Sequence, residues 1–301
     1  MYNQITSNKR KSILLVIIFV LAVFALAYFI SLWFGYDYYF IFTLALILSL
    51  VMTLSSYYKG DRVALALAGA KGPLVKEHNP YVYRLVENLC ITAGLPMPKI
   101  YIIPDPAMNA FATGRDPAHS SIALTQGIID KLENEELEGV IAHELSHIKN
   151  YDIRLATLVI VLVGLVSIMA NIFLRMNMWG GRRSSGRGGG QAGAILMIIG
   201  FVLIILSPII AQLIKLAVSR KREFLADASG SLLTRYPEGL ARALEKIGNE
   251  NAPMQKVTDA TAHLYLASPF GRKKSIASRL FATHPPIEER ITALRQMGNA
   301  R

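Results

Sequence analysis

The sequence is short of cysteine and of charge. Its one cysteine among 301 residues, Cys90, cannot close a disulfide within the chain, so a disulfide framework is excluded. Set in VYRLVENLCITAG, it reads as a small buried thiol. Charged residues make up 18% of the chain, against about 25% in an ordinary soluble domain. Acidic groups are the scarcer sign: 21 Asp plus Glu against 32 Lys plus Arg, a formal net charge of +11. Apolar residues reach 52% and mean hydropathy is +0.37, which excludes a disordered chain and points to a membrane protein. Repeats of about 20–50 residues, the mark of solenoids and propellers, are also missing. On such a chain the basic excess is explained by Lys and Arg holding helix ends on the cytoplasmic side, and no nucleic-acid partner is expected.

What is present is a set of long apolar runs. Ile13 to Phe34 carries no charge over 22 residues and Tyr38 to Tyr58 none over 21, with only Gly35, Tyr36 and Asp37 between them. About 20 apolar residues cross the hydrocarbon core as a helix, so the pair reads as a membrane-spanning hairpin. The basic start Asn8-Lys9-Arg10-Lys11 and the small residues Ala25-Leu26-Ala27 resemble a secretion signal, but the apolar run continues for seven residues beyond Ala27 into a second span. Two more candidate spans are Leu155 to Leu174 and Ala194 to Ile214, the latter interrupted by Ser207, Pro208 and Gln212. The Gly/Ser-rich residues 175–190 between them, with four Arg and one Trp, read as a solvated tether. Eleven Lys and Arg cluster near span ends on one side and four on the other, which puts the N-terminus, the segment from about 59 to 154 and the last third in the cytoplasm.

Within those cytoplasmic parts, Lys99 to Pro104, Asn109 to Thr113 and Ser121 to Thr125 are β-rich runs bounded by Pro, Gly and Asp, a small sheet. Amphipathic helices are expected at Tyr81 to Thr92, Asn134 to about Asn150, Pro237 to Asn249 and Pro286 to Met297. This is one α+β domain, interrupted in sequence by the second hydrophobic pair. The expected division is 1–58 for the first hairpin, 59–154 for the first half of the domain, 155–218 for the second hairpin and 219–301 for the second half.

The helix from Asn134 carries the chemistry. It contains His143-Glu144-Leu-Ser-His147, an H-E-x-x-H pattern that puts both imidazoles on one face, within reach of one Zn²⁺. Glu144, turned by about 100°, can stand beside the metal and take a proton from water whose pKa the metal lowers. With 6 His and 13 Glu in 301 residues, chance yields the pattern in roughly one chain in two hundred. Val140, Ile141, Leu145 and Ile148 surround it, and a buried histidine pair beside a carboxylate needs a partner. A catalytic zinc takes three protein ligands. Glu223 can supply the third, with Asp227 one turn later accepting a ring N–H, but both could equally neutralise Arg220 and Arg222 on a solvated face.

HELSH, then SRKREFLAD after a hydrophobic hairpin, with NAFATG upstream and THPPIEERI near the C-terminus, resembles the HtpX family of membrane-bound zinc metalloproteases. More distantly it resembles the CAAX prenyl endopeptidases and a related mitochondrial metalloprotease. The resemblance implies an α+β integral membrane protein with four candidate transmembrane helices and a mostly helical, gluzincin-like zinc peptidase domain carrying a small sheet. It implies one Zn²⁺ per chain held by His143, His147 and Glu223, Asp227 behind them, and Glu144 as base. Asn109 and Ala110 match the edge strand that pairs with substrate, and His284 a histidine that steadies the oxyanion. The implied task is endoproteolysis of misfolded or damaged membrane proteins at the cytoplasmic (inner) membrane of a bacterium, in a multi-pass protein whose catalytic domain faces the cytoplasm. From the residues alone, Asn109 reads as a turn residue and His284 as a cap before Pro285, while His78, His119 and His263 read as surface residues. Two other readings are a prenyl-protein endopeptidase, which needs a lipid-sized chamber, and a non-catalytic scaffold with structural zinc, which needs a fourth ligand. Nothing in the sequence specifies an oligomer.

Overall fold

A computed structural model of the chain describes residues 2–34, 37–160, 219–250, 252–258, 261–271 and 285–299. Two long helices come first, α1 (Tyr2–Phe34) and α2 (Tyr38–Leu67). Asp37 caps α2 by accepting a hydrogen bond from the Phe40 amide at 2.9 Å. The pair is zipped by ring stacking, Phe24 on Phe42 at 5.6 Å and Tyr28 on Tyr38 at 6.5 Å between centroids. Along α2, Phe40, Leu44, Ile47, Leu50, Val51 and Leu54 are all exposed, the inverse of a soluble core helix. Among the described residues, α2 is the one helix long and apolar enough to cross a membrane. Of the four expected spans, Ala194 to Ile214 lies outside the described residues, and Leu155 to Leu174 is described only to residue 160.

The boundary expected at residue 58 falls inside α2. Lys59, Asp61 and Arg62 do not stop the helix, because it continues into Ala64 and Leu65, which are buried against the body of the protein. Next, α3 (Pro80–Ala93) starts with Pro80 behind the Asn79 cap and stops at Gly94, whose φ of 66° is left-handed. The sheet has strand order β1 (Lys99–Ile103), β3 (His119–Thr125), β2 (Ala110–Asp116), with β1 parallel and β2 antiparallel to β3. Thr125 ends β3 and caps the short helix α4 (Gln126–Lys131) through its side chain.

At the centre lies α5 (Asn134–Lys149), begun by a capping box between Glu133 and Glu136. Eleven of its 16 residues are buried, among α3, β2, α6 (Arg220–Thr234) and α7 (Pro237–Glu250). Gly139 lets α7 approach, since a Cβ there would lie 2.8 Å from the Leu240 amide nitrogen. The last helix, α8 (Ile287–Asn299), packs on α7 and α6. After Asn150, Tyr151 takes a left-handed φ of 60° and the chain turns into a helix described over 152–160. There Leu155, Leu158 and Val159 are buried in a cluster with Leu15 and Phe19 of α1, so the start of the expected third span is covered by the first.

Candidate active site

On α5 the rings of His143 and His147 lie edge to face with centroids 4.7 Å apart, and their Nε2 atoms are 3.1 Å apart. From α6, the Glu223 carboxylate approaches them at 3.9 Å and 3.6 Å. What brings α6 this close is Gly230, where a Cβ would stand 2.9 Å from the His143 amide nitrogen. Gly230→Ala is therefore expected to push α6 off α5, costing about 1–3 kcal/mol as overpacking. Thermal unfolding and metal content should both fall, and an unchanged protein would mean that the helices repack at no cost.

The histidines are set up to receive a cation. His143 Nδ1 is 2.8 Å from Asp227 Oδ1, and His147 Nδ1 is 3.0 Å from Asp152 Oδ2. A carboxylate accepts, so each Nδ1–H donates to its acid and both Nε2 atoms turn their lone pairs inward. Two lone pairs and a carboxylate facing one another need positive charge between them. Two nitrogens on one tetrahedral zinc, each at about 2.0–2.1 Å, lie roughly 3.4 Å apart, close to the spacing of the Nε2 pair. His143, His147 and Glu223 offer ligand atoms that all lie within 4.8 Å of one another, so the residues fit a metal ion.

The electrostatics agree. Burial holds His143 below its ordinary pKa, favouring the neutral ligand form. At His147 burial also lowers the value, but the Asp152 hydrogen bond and the charges of Glu223, Asp152 and Glu144 outweigh it and raise it to about 9, so positive charge is favoured at this Nε2, carried by a proton or by a metal ion that displaces the proton. Asp227 is held at about 2: burial would raise it, yet the charge and hydrogen bonds of Arg290 dominate. Burial lifts Glu144 to about 7, against the lowering influence of His147 and of a hydrogen bond from the Ala112 backbone. Glu144 thus sits one step from the metal group with a proton affinity near neutral, as a general base requires.

Of the other expected site residues, Asn109 and Ala110 are described. Asn109 is buried and its side chain brackets the Ala267 backbone, giving to the carbonyl at 3.0 Å and accepting from the amide at 3.2 Å. Ala110 has both backbone groups engaged, its amide with Asn109 Oδ1 and its carbonyl with the Leu266 amide at 2.9 Å. The β2 residue that lines the cavity with His143, Glu144 and His147 is Ala112. His284 lies outside the described residues. His78 and His119 are exposed, but His263 is buried at 5% exposure and lines the cavity, because the turn Ala262–Leu264 tucks it against the Ala156 carbonyl at 3.2 Å.

Sequence reasoning also missed Asp152 and Arg290. Arg290 is fully buried and grips Asp227 with two parallel bonds, Nε to Oδ2 at 2.8 Å and Nη2 to Oδ1 at 2.7 Å. Its Nη1 lies 3.8 Å from Glu223. One guanidinium therefore holds the acid behind His143 and stands beside the carboxylate of the third candidate ligand. The signal available in sequence was slight: an arginine three residues into an acidic helix start, Glu288-Glu289-Arg290.

Known proteins resemble this chain over nearly its whole length. A "Protease HtpX homolog" of Tropheryma whipplei (strain Twist) is 43% identical over 299 residues, covering 99% of each chain. Another, of Thermoanaerobacter pseudethanolicus, is 44% identical over 298 residues, covering 99% of this chain and 98% of that one. Among solved structures, the crystal structure of S. mikatae Ste24p superposes with a TM-score of 0.50 at 21% identity, covering 98% of this chain and 67% of the other, which is a likeness of fold. With the model for Peptidase family M48 matching residues 76–298, from before α3 to the end of α8, the chain belongs to peptidase family M48 and is a membrane metalloprotease.

Proposed function

We propose that the protein is a zinc endopeptidase, one Zn²⁺ per chain, that cuts unfolded or misfolded segments of membrane proteins at the cytoplasmic face of a bacterial inner membrane. The observation that carries this reading is the convergence of His143, His147 and Glu223 with both imidazole Nδ1 atoms committed to carboxylates. These three side chains would hold the zinc. When bound, it supplies Lewis-acid chemistry, lowering the pKa of water towards about 7 and polarising the scissile carbonyl. Glu144 accepts the proton of the attacking water and returns it to the leaving amine. Asp227 and Asp152 hold the rings of His143 and His147 by their Nδ1 atoms. An extended substrate segment lies beside β2 at Ala112, a mode that selects unfolded chain over side-chain identity.

Closeness to the membrane supports the choice of substrate. Buried Asn8 of α1 touches Asp152, which touches His147, and the uncharged run of α1 begins five residues later at Ile13. Five helical residues rise about 7–8 Å, so the site lies near the bilayer surface. The charge count of eleven against four supports a cytoplasmic setting for that surface. The chain divides into a first hairpin at 1–58, the first half of the domain at 59–154, a second hairpin at 155–218 and the second half at 219–301, with α2 running across the first boundary to Leu67.

Purified in detergent under strong chelation, the protein should cleave casein only after Zn²⁺ is restored. Cleavage that survives full metal removal would end the reading. Glu223→Ala should copurify with almost no zinc, whereas Asp227→Asn should weaken affinity about 10–100-fold. Full occupancy in Glu223→Ala, by elemental analysis, would place the third ligand elsewhere.

A further inference from the structure

We propose that Asn8, near the start of α1, is a positioning residue of the metal centre: through Asp152 it fixes the ring of His147, so that one side chain ties the first hydrophobic helix to the site. The inference rests on the reading of His147 as a metal ligand. Asn8 is fully buried although it opens the basic run Asn8-Lys9-Arg10-Lys11. Its amide nitrogen donates both hydrogens, to the Asn150 carbonyl at 2.9 Å and to Asp152 Oδ1 at 2.6 Å. Its amide oxygen accepts from Arg222 Nη1 at 3.4 Å. Asp152 is thereby a bridge, one oxygen taken by Asn8 and the other by His147 Nδ1 at 3.0 Å.

Asn8 thus joins the three places from which the site is built: the end of α5, the turn after it, and the first turn of α6, where Arg222 precedes Glu223. The turn needs holding. Tyr151 adopts the left-handed backbone that a bulky residue rarely takes, and such conformations persist only when the surroundings over-determine them. Here they do: the Tyr151 ring lies under Lys9, the neighbour of Asn8, at 4.6 Å and under Arg154 at 5.1 Å. Without Asn8, Asp152 would keep an alternative partner in Arg222, whose Nη1 is 3.6 Å from Oδ1, and the carboxylate would be free to turn from His147 towards it. Partners behind a metal-bound histidine typically change metal affinity about 10–100-fold, and Asn8 acts one bond further out, so about tenfold is expected.

The test uses the full chain in detergent. Zn²⁺ affinity is measured by competition with a chromophoric chelator and the ligand field by the visible spectrum of the Co²⁺ form, beside the unfolding midpoint. Asn8→Ala should weaken Zn²⁺ binding about tenfold and shift the Co²⁺ bands. Asn8→Asp, which keeps the shape but sets a carboxylate against Asp152, should lose at least as much, and Asn8→Gln, which keeps both donors, should recover most of the affinity. In an Asp152→Ala background, Asn8→Ala should add almost nothing, because coupled residues are not additive. If the two losses multiply, or if Asn8→Ala binds Zn²⁺ as the parent does while His147→Ala loses it, the inference is overturned and the ligand assignment stands. If His147→Ala keeps its metal, the ligand assignment falls and the inference with it. Should Asn8→Ala fail to fold, the Asn8→Gln and Asn8→Asp pair decides alone, since equal affinities in the two would overturn the proposal.

Discussion

Glu144→Gln should leave about one zinc per chain in place and lower proteolysis about 10²–10⁴-fold, the range general acid–base catalysis contributes. The side chain is 2% exposed, and its neighbours on either side along the site are the two groups it must serve. On one side stand His143, His147 and Glu223, where a metal would activate water; on the other is Ala112 of β2, whose backbone hydrogen-bonds the carboxylate. Glutamine has the same shape and can still accept from Ala112, but it cannot take a proton. Position and metal are thus preserved while the transfer is lost. A variant that kept a tenth or more of the parent's activity at full zinc occupancy would show that Glu144 is not the base.

How far the sequence disclosed this site depended on distance along the chain. The helices α3, α5 and α7 begin and end within a residue or two of where the pattern puts them, because their signals are local: Asn79 before Pro80, and Glu133 with Glu136. The short α4 has no signal of its own, since Thr125 reads as the end of a strand and serves also as a helix cap. His143, Glu144 and His147 are legible because four residues make one helical turn. Asp152 lies only five residues beyond His147, yet reaches it through a left-handed Tyr151, a residue type that rarely takes that backbone. Neither Asn8, in a basic run, nor Arg290, in an acidic helix start, carries a local sign of burial, and they reach their acids across 144 and 63 positions. Asn109 likewise reaches Ala267, 158 residues away, and the β2 residue that lines the cavity is Ala112. His263 reads as a surface residue because the turn that buries it has no pattern of its own.

Removing the guanidinium of Arg290 should be the most damaging change to stability. It is fully buried, it satisfies both oxygens of Asp227, and it donates to the Leu266 carbonyl at 3.3 Å. Breaking a buried pair by deleting one partner costs about 3–5 kcal/mol, because the remaining charge stays desolvated. For a domain of about 150–250 residues each kcal/mol moves the midpoint roughly 2–4 °C, so Arg290→Ala should lower Tm by roughly 6–20 °C. The damage reaches the chemistry along a stated path. Asp227, at about 2 beside Arg290, would lose the charge that holds it ionised, and a protonated Asp227 no longer accepts from His143 Nδ1 as a carboxylate does. Zinc affinity should therefore drop together with stability. Arg290→Lys separates the two effects: it keeps the positive charge but loses the two-pronged grip, so Asp227 should stay ionised and retain most of the metal while Tm still falls. Equal loss of zinc in both variants would mean that geometry, and not charge, is what Arg290 supplies to His143.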